Sequence, residues 1–187
     1  MRGFYAILAL LAVFGLASCH TSDSRVSEGE AGEAFHDIDE ILTLYILPIE
    51  LPDEIHGNAS DRERELWRQD WPMSGARSVA RGVTDETGED VTALVSEKKS
   101  DADFYFKLVI TYIDVGDEAI RKGKIVGNSE EGWSQVLATG TLYNGSNGEI
   151  VAELRFDQSS GYQVSEPFHN DMNNLGQELG NWIQSRQ

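Results

Sequence analysis

The residue with the most distinctive chemistry in this sequence is Cys19, the one cysteine among 187 residues. A thiol can act as a nucleophile, a metal ligand or half of a disulfide, and a single thiol cannot form a disulfide within its own chain. Cys19 follows small residues at the end of an apolar run from Phe4 to Leu16, with Arg2 before it. A positive charge, a short apolar run and small residues at its end are the three parts of a secretory signal. Residues 1–18 are therefore predicted to be a cleaved export signal.

The segment Leu16-Ala17-Ser18-Cys19 resembles the lipobox of bacterial lipoprotein signals. The resemblance implies cleavage after Ser18, a diacylglycerol on the sulfur of Cys19 and an acyl chain on the new amino group. Acyl chains contribute about 0.8 kcal/mol per buried methylene, so several chains hold a protein lastingly on a membrane. His20, rather than an aspartate, follows the cysteine, which implies the outer membrane, with the domain facing the periplasm or the cell surface. The alternative is an ordinary free thiol after a cleaved signal.

Other side chains with metal-binding or nucleophilic chemistry are scattered. The histidines have no second histidine or carboxylate at a metal-ligand spacing, so each is predicted to be a surface residue. The sequence contains no phosphate-binding loop, nucleophile elbow or dinucleotide fingerprint. It therefore predicts no metal, no cofactor and no enzymatic activity. The histidines are His20, His36, His56 and His169.

Paired carboxylates are the groups that could still perform general acid and base chemistry. Asp101 with Asp103, and Glu130 with Glu131, are such pairs, although pairs are expected in a chain with 32 acidic residues. One alternative function is a hydrolase that acts on envelope polymers through these carboxylates. Another is a cation-dependent binding module, in which Asp101 and Asp103 bind calcium from one side of a strand. Solvated residues at the start of a strand are the simpler interpretation.

The net charge limits the partners of this chain. Its 15 basic and 32 acidic residues give −17, and removal of residues 1–18 with Arg2 makes the charge −18. Nucleic acid is not expected as a partner because phosphate binding needs clustered Lys and Arg. A basic protein face or a divalent cation would fit such a surface, and solubility alone would also account for it.

Composition divides the chain into a signal, a tether and one domain. After residues 1–18, residues 19–36 are rich in Ser, Glu and Gly and are predicted to form a flexible acidic tether that begins with lipidated Cys19. Residues 37–187 are enough for a single domain with a hydrophobic core.

The first part of the domain is predicted to contain one strand and two helices. Residues 41–47 are a continuous apolar run, typical of a central strand buried on both faces. Ser60 begins a capping-box pattern for a short helix that ends near Asp70, before Pro72. The segment 91–95 has apolar residues at i, i+3 and i+4, which predicts a second helix.

The second part is predicted to be a three-stranded meander followed by a helix. Residues 104–113, 133–143 and 149–157 are predicted to be strands, and in 104–113 the second face also carries apolar residues, Tyr105, Val109 and Ile113. The C-terminal segment has apolar residues at three- and four-residue steps, with Asn170 or Asp171 as its cap. The predicted fold class is α+β, a mixed sheet of about four strands with the first strand central and helices packed on it, including a C-terminal amphipathic helix.

Four short segments of the C-terminal half are Ala102-Asp103-Phe104, Gly116-Asp117-Glu118-Ala119-Ile120-Arg121 with Gly127, Leu142-Tyr143-Asn144, and Gly148-Glu149-Ile150-Val151-Ala152-Glu153. Together they resemble a group of uncharacterised Gram-negative outer-membrane lipoproteins, distantly similar to the curli-secretion lipoprotein and the penicillin-binding-protein activator lipoprotein. Asn144 departs from the aspartate that is usual in their hairpin turn. The resemblance implies a mixed-sheet α+β domain that binds other envelope proteins and has no catalytic residues.

Three residues are candidates for binding. Trp67 and Trp71 lie one helical turn apart and could form an aromatic patch, although core packing of at least one is the simpler interpretation. Arg121 lies in a glycine-flanked connection, and loops often carry recognition. The sequence thus predicts a lipid-anchored envelope lipoprotein with a non-catalytic domain that binds an envelope protein, as an assembly factor or accessory subunit. It leaves the oligomeric state open.

Overall fold

The computed structural model describes residues 42–97, 102–117, 133–160 and 166–186. The predicted signal, the tether with Cys19, and Arg121 lie outside these residues. Five strands form one sheet, and two long helices pack on it. The elements are, in chain order, β1 (Leu42–Ile46), α1 (Asp61–Thr87), β2 (Val91–Val95), β3 (Phe104–Asp114), β4 (Ser134–Asn144), β5 (Ile150–Ser160) and α2 (Pro167–Gln184).

The sheet is mixed, with the strand order β2-β1-β3-β4-β5. β1 pairs in parallel with both β2 and β3, whereas β3, β4 and β5 form an antiparallel meander. The predicted α+β class, the inner position of the first strand and the meander are confirmed. The sheet is one strand wider than predicted, because β2 was assigned to a helix.

The two faces of the sheet have different surroundings. Both helices pack on one face, here called the covered face, and no described helix packs on the other, the open face. Phe106 and Leu108 of β3 point to the covered face and are fully buried. A β-bulge at Thr111 shifts the alternation, so Ile113 also points to the covered face and Tyr112 lies on the open face.

The chain continues beside β3 after β1 ends. Residues 47–58 follow β3 in the direction of β1, so β3 has a hydrogen-bonded neighbour on this side along most of its length. The bonds run from Leu47 N to Phe106 O (3.0 Å), Glu50 N to Leu108 O (3.0 Å), Ile110 N to Glu50 O (2.9 Å) and His56 N to Ile113 O (2.9 Å).

β2 occupies the segment that was predicted as a second helix, and that prediction was wrong. Over five residues the apolar spacing fits a strand as well as a helix, because Val91, Ala93 and Val95 then share the covered face. All five residues pair with β1, and this non-local ladder decides between the two structures.

α1 begins where the capping box predicts. Glu63 N donates to Ser60 Oγ (3.3 Å), and Ser60 N donates to Glu63 Oε2 (2.7 Å). Hydrogen bonds from Ser60 lower the pKa of Glu63. The helix ends at Thr87, where Gly88 adopts a left-handed φ of 63° and its N–H donates to Thr84 O (2.9 Å).

Pro72 lies inside α1 and does not end it, so the predicted end near Asp70 was wrong. A proline removes one helical hydrogen bond. The Pro72 carbonyl nevertheless accepts a hydrogen bond from Ile49 N (3.0 Å), and the later turns bury Ala76 and Val79 completely. Burial of these turns in the core stabilises the continued helix, which a local stop signal does not reveal.

α2 begins at Pro167, with Glu166 in the N-cap position, so the predicted cap at Asn170 or Asp171 was wrong. Asp171 is instead fully buried. The predicted apolar stripe of this helix is confirmed as part of the core. Its members are Met172, Leu175, Leu179, Trp182 and Ile183.

The two helices touch through their backbones. A Cβ atom added at Gly82 of α1 would overlap the Asn173 carbonyl oxygen, and one added at Gly176 of α2 would overlap the Val79 carbonyl oxygen. Only residues without a side chain permit this approach, so α1 and α2 form one tightly joined layer over the covered face.

Candidate binding face of the sheet

The open face carries a row of apolar and aromatic side chains that crosses the whole sheet. One residue from each strand lies at the same register position, and we call this set the aromatic row. Its outer members are solvent-exposed, Leu94 by 48% and Ile150 by 58%. The row consists of Leu94, Tyr45, Tyr105, Tyr143 and Ile150, in the order of the strands.

The centre of the aromatic row is a tyrosine stack. The rings of Tyr105 and Tyr143 lie 4.7 Å apart at an interplanar angle of 11°. Tyr105 is only 5% exposed although it lies on the open face, and Tyr45 beside it is half-buried. Stacked aromatic pairs contribute about 0.5–1.5 kcal/mol beyond the area they bury. The row therefore has an ordered centre and apolar, accessible ends.

A groove lies further along the same face, across β3, β4 and β5. It encloses about 600 Å³ and is lined mainly by threonines and charged groups. Arg155 is exposed and makes no ion pair with any residue of the described part of the chain. Gln135 Nε2 donates to Asp157 Oδ1 (3.1 Å) at the groove end. The lining residues are Thr111, Leu137, Ala138, Thr139, Arg155, Phe156 and Asp157.

An aromatic and acidic cluster lies at the far end of the open face. The His56 imidazole stacks on Tyr112, with ring centroids 5.1 Å apart. The Tyr112 hydroxyl lies 3.5 Å from Asp114 Oδ2. Burial, and then the negative charge of Asp114, raise the pKa of Tyr112.

The tryptophans predicted as binding candidates lie on α1, behind the sheet from the open face. Trp71 is buried between Trp67 and Phe168, with ring centroids at 4.7 Å and 4.0 Å. Trp67 is partly buried at the edge of the same stack. The structure brings the two tryptophans together but does not join them to the aromatic row. Cys19 and Arg121 lie outside the described residues.

The acid pairs are only partly within the described residues. Asp103 Oδ2 accepts a hydrogen bond from Thr43 N (2.7 Å), which fixes the start of β3 beside β1. Asp101, Glu130 and Glu131 lie outside the description. No group of three metal-ligating side chains occurs in the part of the chain that the structure covers.

A serine, a histidine and a glutamate are in contact one after the other where α1 meets α2. They are Ser74, His169 and Glu166. His169 Nε2 is 3.0 Å from Ser74 Oγ, and His169 Nδ1 is 3.6 Å from Glu166 Oε2. The Ser74 hydroxyl also lies 2.8 Å from Asp70 Oδ2 and 3.1 Å from the Asp70 carbonyl. The Ser74 hydroxyl lies inside a helix and hydrogen-bonds to the preceding turn. Its contact with His169 is therefore interpreted as a polar link between the two helices.

A buried polar cluster joins the sheet to α2. Ser134 Oγ donates to Asp171 Oδ2 (2.8 Å), and Ser160 Oγ donates to Asp171 Oδ1. Asn170 Nδ2 donates to Ser160 Oγ (2.8 Å). These bonds satisfy a fully buried carboxylate, as burial of a charge requires.

The aromatic row was not predicted as a site, because its members come from five separate segments. The available signal was the second face of the strand at 104–113, where Tyr105 and Val109 give a partly apolar pattern. That pattern shows that the open face is not purely polar. It does not show which residues of other strands stand beside Tyr105, since register depends on non-local pairing.

No protein-family model and no curated protein sequence matches the chain. The fold does match solved structures. PelC from Paraburkholderia phytofirmans, a dodecamer in the crystal, has a TM-score of 0.50 and 13% identity, covering 88% of this chain and 98% of PelC. The two proteins share a fold.

Two further solved structures have lower TM-scores. XCC0632 from Xanthomonas campestris, of the DUF330 family, has a TM-score of 0.47 and 10% identity over 78% of this chain and 86% of that one. Lipoprotein GNA1162 from Neisseria meningitidis has a TM-score of 0.29 and 12% identity over 77% and 99%. In the described residues of the present chain, neither helix has the length and apolar character needed to cross a bilayer.

Proposed function

We propose that this chain is a lipid-anchored envelope lipoprotein whose domain binds another envelope protein through the open face of its sheet, without catalysis. The observation that carries the proposal is the aromatic row, which places Leu94 and Ile150 in solvent at the two edges of a face on which no described helix packs. The domain would act as an assembly factor or an accessory subunit.

The composition of the open face supports a protein partner. Tyrosines are enriched at protein interfaces, whereas charged residues are depleted at interface centres. The aromatic row contains no charge, in a chain whose net charge is −17.

The sequence supports the envelope location. The lipobox-like segment ending at Cys19 implies a lipid anchor, and the acidic residues 19–36 would hold the domain away from anionic lipid. The fold similarity to PelC, which is a dodecamer, favours a role inside a larger assembly.

The binding role can be tested by photocrosslinking in intact cells. A photoreactive phenylalanine analogue is placed at Leu94 or Ile150 of the full chain, and at Arg77 on the exposed side of α1 as a matched control. We expect a discrete crosslinked partner from Leu94 and Ile150 and none from Arg77. Crosslinks from all three sites alike, or from Arg77 alone, would contradict the proposal.

The anchor is tested separately. A Cys19→Ala variant should no longer incorporate radiolabelled palmitate and should leave the outer-membrane fraction, while the native chain stays there. Label incorporated by Cys19→Ala, or an unchanged membrane fraction, would overturn lipidation at this residue.

A further inference from the structure

β5 is a long edge strand whose outer side has no hydrogen-bonding partner among the described residues. It has 11 residues and pairs on one side only, with β4. The opposite edge strand, β2, has only five residues. An edge strand offers a row of N–H and C=O groups to another chain, and proteins usually protect such edges with charged side chains, above all lysine, with proline or with a bulge. β5 contains neither lysine nor proline, and its one irregularity lies at its start, opposite Leu142 and Tyr143.

The hydrogen-bond pattern shows which backbone groups of β5 point outward. Phe106 and Leu108 of β3 bind residues 47–58, so the alternate residues of β3 bind β4. The odd-numbered residues of β4 hydrogen-bond to β3. The even-numbered residues of β4 therefore hydrogen-bond to the even-numbered residues of β5. The odd-numbered residues of β5 therefore direct their backbone groups away from the sheet. They are Glu153, Arg155, Asp157 and Ser159, and all four side chains are exposed on the open face.

The charges on these outward positions alternate as Glu153, Arg155 and Asp157. In an antiparallel pair, opposite charges directly across from each other stabilise the ladder and like charges destabilise it. Pairing of β5 with itself about Phe156 places Arg155 opposite Asp157 of the second copy, twice, and Glu153 opposite Ser159. Pairing about Arg155 would instead set like charges against each other.

We propose that β5 pairs with β5 of a second copy of this chain, antiparallel and centred on Phe156, to form a two-fold dimer with one ten-stranded sheet. The charge pattern identifies the partner as a second copy. Two mature chains of net charge −18 repel each other, and this edge provides a place where opposite charges align. The register also leaves the irregularity at the start of β5 outside the new ladder.

The two-fold axis of this dimer is perpendicular to the sheet. Both open faces then lie on the same side, and the dimer presents two aromatic rows to one partner surface. Two linked sites raise the avidity for a multivalent or repetitive partner without any new contact. The dimer uses the strand edge and not the open face, so it stands or falls independently of the proposed function.

The test measures the mass of the intact, lipidated protein in detergent micelles by sedimentation across a concentration series. The native chain should be dimeric. Arg155→Asp, which faces Asp157 of the second copy, and Asp157→Arg, which faces Arg155, should each weaken the dimer about thirtyfold. The double variant Arg155→Asp with Asp157→Arg should restore it.

Arg77→Asp is the matched control, because it changes the charge equally on α1, away from the edge, and should leave the dimer intact. Thermal unfolding followed by circular dichroism verifies that each variant is folded. A monomeric native chain, an unchanged dimer in Arg155→Asp, or a double variant that stays monomeric would each overturn the proposal. The last result also excludes the register centred on Phe156 specifically.

Discussion

The covered and open faces are built from the same strands, yet their side chains differ in burial and in polarity. On the covered face, Phe106, Leu142 and Leu154 are fully buried and the helices above them touch through backbone atoms. On the open face, tyrosines and threonines stand among paired and unpaired charges. Stability is therefore concentrated on one side of the sheet, which leaves the other side free to vary its side chains for recognition. Substitutions on neighbouring residues of one strand can separate the two roles.

The largest contrast should come from adjacent residues of β4. Leu142→Ala opens a cavity in the core and should lower the free energy of unfolding by about 2–5 kcal/mol. Thr141→Ala alters a half-buried side chain on the open face and should change the free energy of unfolding by less than about 0.5 kcal/mol. Urea unfolding of both variants measures the difference. Equal losses of unfolding free energy in the two variants would mean that side chains on the open face are packed as tightly as those of the core.

The second effect concerns the helix layer. Gly176→Ala should destabilise the domain by about 1–3 kcal/mol because its Cβ would overlap the Val79 carbonyl. Helix propensity alone predicts the opposite, a gain of about 1 kcal/mol. Gly180→Ala is the comparison, since the nearest atoms to its Cβ would be side-chain atoms of Glu86 (2.9 Å) and Thr87 (3.3 Å) and not a carbonyl oxygen, so a smaller loss is expected. A stabilised Gly176→Ala would show that the helices do not touch there.

A third effect concerns the buried carboxylate. Ser134→Ala removes one of the hydroxyls that donate to Asp171 and should cost about 1–3 kcal/mol of unfolding free energy. Ser159→Ala, on the exposed side of β5, is the comparison and should be nearly neutral. If both variants unfold at the same urea concentration as the native chain, the cluster does not stabilise the contact between the sheet and α2.

The comparison between the faces also depends on how far the sequence predicts them. The period-two patterns of β3, β4 and β5 and the stripe of α2 predict the covered face well, because local burial alone creates them. β2 and the second half of α1 were missed, since Pro72 and a five-residue apolar segment give local signals that non-local packing overrides. The aromatic row was missed because nothing local to Tyr45 or Ile150 indicates which residues lie beside them.

The smallest effect belongs to the ion pair on the open face. Lys107 Nζ lies 2.8 Å from Glu50 Oε1, and this hydrogen bond raises the pKa of Lys107 above 10.5. The pair therefore stabilises the fold below pH 10.5, and the effect disappears as the pH rises through the raised pKa. Since both side chains are partly exposed, Glu50→Gln should lower the unfolding free energy at pH 7 by at most about 1 kcal/mol.

The measurement is urea unfolding of the native chain and Glu50→Gln at neutral pH and above the raised pKa. The difference between the two proteins should vanish at the higher pH. A difference that persists there would indicate that Glu50 acts through its backbone or its packing and not through Lys107.

The position of β1 also has a mechanical consequence. β1 is the first strand of the domain, and it is held by β2 on one side and β3 on the other. A force applied to Leu42 along the direction of β1 would load the ladders on both sides in shear, so that their hydrogen bonds share the load. Had the first strand been an edge strand pulled crosswise, its bonds would open one after another. A domain held at Leu42 and pulled along β1 would therefore resist in the direction in which its sheet is strongest.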